Sequence, residues 1–378
     1  MNKVQLQLLE IVKCGLWEGY CPDVLLFENC EWEEVYRLAR VQATTAIAFD
    51  GLEKLYTLSG KTISIPKDML MTWLMDTKNV EKKYRQHCKV IGELCRHLTE
   101  VGIKHYFMKG LVCGARYPKP EHRSCGDIDF VVSDKDFDCT MNSLEKIAKV
   151  KHDLAHEHHG LAHMEGVLLE PHYKVHNYQY PANDKTMQRL FNQLLEEKPY
   201  VVNIEGTDIP TFPPEFEGMF LISHMVNHVY EEGLGLRQVL DYAVYLRRIA
   251  QMPSFDKIKH EQYLKEMNMV RAHRIFTRIC EEYLNTDISL FGYKYSYKDM
   301  AFSEKMAEDI MQVGNFARGK YIFRHETKMD ELRNYIWVAR RAFRLGYLCP
   351  TEAYMWPFSK FIRYFDKIIR PNAYGKKL

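Results

Sequence analysis

The run Asp127-Ile128-Asp129-Phe130-Val131-Val132 constrains this chain more than any other six residues in it. Acidic and apolar residues alternate and then give way to β-branched ones, the pattern of a strand with a covered face. Alternation sends Asp127 and Asp129 to one side, about 6 to 7 Å apart along the strand, and turns Ile128 and Phe130 into a core. Two carboxylates held that close repel each other, and a divalent cation between them removes the repulsion. A solvated strand would tolerate the same spacing, so the surrounding motifs carry the argument.

Those motifs supply matching parts. Val167-Leu168-Leu169 is a second apolar run, and it ends in Glu170, a third carboxylate for an adjacent strand. Upstream, Ile103 to Met108 reads as a short strand running into Lys109-Gly110. A strand–glycine–helix junction turns backbone N–H groups toward an anion, and Lys109 adds a positive charge for phosphate. Three carboxylates for Mg²⁺ or Mn²⁺ beside a phosphate cradle are the components of phosphoryl or nucleotidyl transfer.

The rest of the chain surrounds this segment with helix. Over residues 1–100, Val4, Leu8, Ile11 and Val12 recur at helical spacing, as do Val35, Leu38, Ala39 and Ala46. Pro66 opens a long segment, Lys67 to Glu100, which Gly102 closes. Residues 101–212 form the core, with a helix expected over Phe137 to Val150 and a strand over Val167 to Val175. From Pro213-Pro214 helix returns over 216–230, 236–250, 255–267 and 270–284, with breaks at Gly233, Gly235 and Pro253. The tail from Arg318 is expected to be helical to Gly346 and again after Pro357. The fold class is therefore α+β: a small mixed β-sheet core (101–212) flanked by N-terminal (1–100) and C-terminal (213–378) helical regions.

Composition sets outer limits. The 52 Lys and Arg against 50 Asp and Glu exclude a chain that coats nucleic acid through bulk charge. The ten cysteines, Cys88 and Cys95 among them, are scattered without a Cys-x-x-Cys pair, as in reduced thiols. The first residues carry Gln5, Gln7 and Glu10 in place of an apolar signal core, and no apolar run is long enough for a membrane span. A cytoplasmic location is expected.

Taken together, Phe-Met-Lys-Gly (107–110), Tyr117-Pro118, Arg-Ser-Cys-Gly-Asp-Ile-Asp-Phe-Val-Val (123–132) and Leu-Glu-Pro-His-Tyr (169–173) resemble an uncharacterised bacterial nucleotidyltransferase-like family. That family has the DNA polymerase β-type nucleotidyltransferase superfold, which also hosts AbiEii-type and MenT-type toxins. Weaker resemblance continues through His224 to Tyr245. It implies a metal-dependent transfer of a nucleoside monophosphate from an NTP, ATP for example, to a hydroxyl-bearing acceptor, with Asp127, Asp129 and Glu170 as catalytic metal ligands. Lys109-Gly110 stands where the superfold usually has Gly-Ser. RNA such as a tRNA end, a protein hydroxyl or a small molecule would serve as acceptor, and a toxin–antitoxin setting implies an antitoxin partner. The alternative is a degenerate member that binds or senses a nucleotide without turnover.

Further residues have roles left open by sequence. Arg123 can contact phosphate or a substrate carboxylate, or pair with Glu121. His172, two residues past Glu170, can orient that carboxylate, help deprotonate an acceptor, or serve structure; Lys174 shares its parity. His152, His156, His158, His159 and His163 form the densest histidine cluster, a weak zinc motif without companion cysteines. His224 and His228 share a helix face and are expected to bond across to Asp241 on the next helix, which also carries Arg237. In the tail, Arg340, Arg341, Arg344, Trp356, Lys360, Arg363, Lys367 and Arg370 interleave cations and aromatics, as in an RNA surface or an amphipathic helix.

Overall fold

The computed structural model describes residues 1–151, 159–315 and 327–369. His152, His156, His158 and Arg370 lie outside the described residues, as do the side chains of Lys360, Arg363 and Lys367.

Four helices precede the sheet: α1 (Lys3–Leu16), α2 (Trp32–Val41), α3 (Thr45–Leu58) and α4 (Lys67–Glu100). The core then runs β1 (His105–Met108), α5 (Gly110–Gly114), β2 (Asp127–Val132), α6 (Phe137–Leu144), β3 (Lys149–Lys151), β4 (Leu161–Met164) and β5 (Val167–His172). It continues through α7 (Pro181–Glu196), β6 (Tyr200–Ile204) and β7 (Thr207–Thr211). Among the described residues seven further α-helices follow: α8 (Pro214–Tyr230), α9 (Leu236–Ala250), α10 (Lys257–Glu266), α11 (Val270–Leu284), α12 (Tyr297–Val313), α13 (Lys328–Leu345) and α14 (Pro350–Ile369).

The strands form one mixed sheet in the order β3-β4-β5-β2-β1-β7-β6. β2 lies at its centre, antiparallel to β1 and parallel to β5. Two hairpins extend the sheet, and both turn on Glu-Gly. Glu165-Gly166 has φ of 48° and 80°, and Glu205-Gly206 has 47° and 81°. Positive φ at both central residues is the turn that matches strand twist, and the glycine carries it without a Cβ clash. Both turns are tied to α4, through Lys89 to Glu165 and Tyr84 to Glu205.

Period-two alternation divides the sheet residues between two cores. Phe107, Ile128, Phe130, Val132, Leu169 and Ile209 pack with Tyr84, Ile91, Leu94 and Leu98 of α4. Phe107 and Phe130 are no more than 1% exposed, and burying such a ring contributes about 2 to 3 kcal/mol. On the opposite face Tyr106, Met108, Val131 and Phe212 join a larger core that includes Phe216, Phe220 and Val226 of α8. Asp127, Asp129, Glu170 and His172 have the parity of Val131, so the acidic side chains stand on the face that α8 covers.

Several expectations are corrected. The helix after Phe137 ends at Leu144, because Lys149–Lys151 is drawn off to pair with β4. The β6–β7 hairpin, α7 and α12 are elements beyond those the sequence pattern predicts. Pro357 sits inside α14, which starts at Pro350, instead of standing ahead of the last helix. A proline in a helix interior costs about 3 kcal/mol; the buried Ala353 and Trp356 just before it hold the helix to the core. Among the described residues, no helix is long and apolar enough to cross a membrane.

Candidate functional site

Register brings the acids together. In the parallel β2–β5 pair Asp129 is the direct Cα partner of Glu170, and Asp127 that of Leu168. Adjacent strands lie about 4.8 Å apart, so Asp129 and Glu170 stand side by side with Asp127 two residues along. Asp129 is 5% exposed and the Glu170 side chain 21%. Burial, then the Asp129 charge, pushes the Asp127 carboxyl above its usual range. Burial, then Asp129 and Asp127, pushes Glu170 up to about 7. Carboxylates held up by one another, with Lys109 offsetting only part of their repulsion, form a hard oxygen set that suits Mg²⁺ or Mn²⁺.

β1 ends beside them. Lys109 takes φ 57° and ψ −143°, a conformation that L side chains rarely adopt, and directs its Nζ to Asp129 Oδ1 at 3.2 Å. Such backbone strain costs about 1 to 3 kcal/mol and persists only where the surroundings impose it. Gly110 follows with φ +39°, and a Cβ there would come within 3.2 Å of Cys125 Sγ. Met108 pairs with Asp129, so the Lys109-Gly110 turn lies directly at the carboxylates.

Imidazoles line the other sides. His172 Nε2 is 3.0 Å from Asp129 Oδ1. Burial, then Lys109 and His159, holds His172 well below its ordinary value, so the neutral ring donates its Nε2–H to the carboxylate. His159 Nε2 and His172 Nε2 lie 4.0 and 3.9 Å from Glu170 Oε2. From α8, His224 and His228 bond to each other at 3.1 Å, and the His176 ring is 5.4 Å from that of His224. Burial, then Lys109, lowers His228 to about 3 and His224 well below its usual value.

Arg123 is placed with Asp241 of α9, and not with Glu121. Its Nη2 and Nε donate to Asp241 at 2.6 and 3.1 Å, and Tyr117 OH donates to the same carboxylate at 2.8 Å. Asp241 is therefore taken, and the expected bond from His224 or His228 to it is not made. Lys174 turns away to Asp184 at 3.3 Å. Arg237, named from sequence only as a neighbour of these histidines, donates Nη1 to the carbonyl of Ser124 at 3.1 Å. Its Nε is buried without a hydrogen-bond partner among the described residues, and its charge acts on Asp127. The signal for Arg237 was its place one turn before Asp241; nothing local revealed His176.

A model of the family described as uncharacterised nucleotidyltransferases matches residues 28–285, more than half of the chain. One similar solved structure is an antigenic nucleotidyltransferase-like protein from Paracoccidioides brasiliensis. It is 17% identical with a TM-score of 0.33, and the alignment covers 55% of this chain and 96% of that one. No curated protein matches.

Proposed function

We propose that this chain, which belongs to the uncharacterised nucleotidyltransferase family, moves a nucleoside monophosphate from an NTP to a hydroxyl-bearing acceptor and releases pyrophosphate. The observation that carries this reading is the convergence of Asp127, Asp129 and Glu170 beside the strained Lys109-Gly110 turn.

Asp127, Asp129 and Glu170 would hold the divalent ions, whose chemistry is to neutralise phosphate charge and favour the acceptor's ionisation. The chain's own groups do the rest. Lys109 and the Gly110 N–H bind the β- and γ-phosphates, and His172 keeps the Asp129 carboxylate oriented through its N–H. Arg237 has a buried donor left over and supports the α-phosphate side. The acceptor oxygen forms the new bond to the α-phosphorus, the bond to the β-phosphate bridging oxygen breaks, and the hydroxyl proton passes to the Glu170 side of the site. The acceptor in this reading is RNA, a protein hydroxyl or a small molecule.

One observation favours a second reading, nucleotide sensing without chemistry: Asp129 already receives both Lys109 and His172. Incubating the protein with α-labelled NTPs, Mg²⁺ or Mn²⁺ and cell extract separates the two. Transfer of label that disappears in the Asp127→Ala/Asp129→Ala double variant is the expected result. Tight NTP binding in calorimetry without transfer to any acceptor would select the sensor, and undiminished transfer by the double variant would end the proposed mechanism.

A further inference from the structure

We infer that His159, His172 and Glu170 form a zinc-binding position set against the acidic pair, and that its occupancy withdraws Glu170 from nucleotidyl transfer. The second half rests on the function proposed above; the first does not.

The three ligand atoms come from two short elements locked to each other. His172 ends β5, and His159 forms an isolated antiparallel bridge with it, which the Gly160 N–H fixes by donating to the Pro171 carbonyl at 2.8 Å. The rings of His159 and His172 are 5.0 Å apart, centre to centre. Glu170 Oε2 lies 3.9 Å from His172 Nε2 and 4.0 Å from His159 Nε2, and all three ligand atoms fall within 4.8 Å of one another. Zinc takes nitrogen and carboxylate oxygen at about 2.0 to 2.2 Å, which puts tetrahedral ligands about 3.4 Å apart. Closing on an ion therefore asks each atom to move by roughly half an ångström.

Ligand chemistry separates this position from its neighbour. Imidazole nitrogen favours zinc over magnesium, while the Asp127–Asp129 oxygens suit magnesium or manganese. Two histidines and one carboxylate with an open fourth place is also a zinc donor set. His172 Nε2 now donates its proton to Asp129. Zinc would take that proton's place on Nε2, the proton leaving to solvent, and Glu170 Oε2, already 3.9 Å from His172 Nε2, would close on the ion. One carboxylate cannot serve both ions in full, so zinc occupancy and transfer compete.

The test uses the full chain, stripped with chelator and titrated with zinc chloride by calorimetry, with Co²⁺ as a spectroscopic stand-in. One tight zinc equivalent and the intense visible absorption of tetrahedral Co²⁺ are expected. Losing a group that merely orients a ligand costs about 10- to 100-fold in affinity; His159→Ala, which removes a ligand, should weaken binding at least tenfold and abolish the cobalt band. Asp127→Asn should retain both. His159→Gln, with a thermal midpoint matched to the parent, guards against a folding artefact and should also lose the band. Zinc bound equally by His159→Ala, or lost with Asp127→Asn, overturns the assignment. In a transfer assay with Mg²⁺ in excess, one zinc equivalent should inhibit the parent and not His159→Gln relative to its own zinc-free rate; equal inhibition of both would overturn the competition. Absence of any transfer would sink the proposed function and leave the zinc isotherm standing.

Discussion

His172 holds Asp129 through a 3.0 Å hydrogen bond from Nε2, on the same carboxylate oxygen that Lys109 reaches from the other side. The imidazole thus fixes the orientation of the acid that the proposed metal site depends on most. Replacing it removes a positioning contact and leaves the Asp129 charge less constrained. His172→Ala is expected to weaken Mn²⁺ binding by roughly 10- to 100-fold, the usual cost of losing a hydrogen-bond partner behind a ligand. Calorimetric titration of Mn²⁺ into parent and variant measures it; equal affinities would show that Asp129 needs no such support.

Asp127 contributes repulsion to the metal-free protein and charge to the loaded one. Burial and Asp129 both hold its carboxyl above the usual range. Asp127→Asn keeps the shape and removes the charge, so the metal-free thermal midpoint should rise. Transfer should fall by at least about 100-fold, since metal-borne charge stabilisation is worth several kcal/mol and each 1.4 kcal/mol is tenfold. Differential scanning fluorimetry without metal and single-turnover transfer assays read the two effects. A variant that is both less stable and fully active would contradict the placement of this carboxylate.

The ion pair between Arg123 and Asp241 joins the loop before β2 to α9 across 118 residues, and both side chains are about 95% buried. Asp241→Asn leaves the guanidinium buried without its counter-charge and Tyr117 OH with a weaker acceptor. Breaking a buried pair from one side costs about 3 to 5 kcal/mol, whereas replacing both partners by apolar residues is often near neutral. Urea denaturation should therefore show Asp241→Asn strongly destabilised and Arg123→Met/Asp241→Leu less so. Arg123 Nη1 also donates to the Ser124 carbonyl at 2.9 Å; a double variant weaker than the single one would mean that this bond, and not the ion pair, is what Arg123 contributes.

How far the site was legible follows from sequence distance. Asp127 and Asp129 are legible on one face because strand alternation is local and strict, while Glu170 is legible only as the end of a neighbouring strand, its place beside Asp129 being set by the β2–β5 register; the long helix Lys67–Glu100 is legible because its apolar stripe is periodic. The partner of Arg123 was not, because the choice between Glu121 and Asp241 is made by where α9 packs and no local pattern records it. The same packing sent Asp241 to Arg123 and Tyr117 and left His224 with His228. His159 meets Glu170 only because its bridge to His172 doubles the chain back along β5. The β6–β7 hairpin is not legible because its exposed edge strand alternates weakly, with burial confined to residues such as Ile204, Ile209 and Thr211.

Glu352 makes the clearest pH prediction, away from the acidic cluster. It is fully buried on α14, where Oε2 accepts the backbone N–H groups of Gln179 and Tyr180 and Oε1 accepts Asn183 Nδ2 at 2.8 Å. Burial outweighs these three donors and raises its carboxyl from 4.5 to about 7. Between those values the folded state binds a proton that the unfolded chain has released, so stability falls as pH rises through this window, by up to about 3 kcal/mol from this group. Glu352→Gln cannot ionise and should flatten the slope. It should also lower stability at acidic pH by about 1 to 2 kcal/mol, since its amide N–H₂ cannot accept from the donors now facing the carboxylate. Urea midpoints of parent and variant from pH 4.5 to 8 test this. If the two curves run parallel, Glu352 is already ionised throughout, and the three donors outweigh its burial.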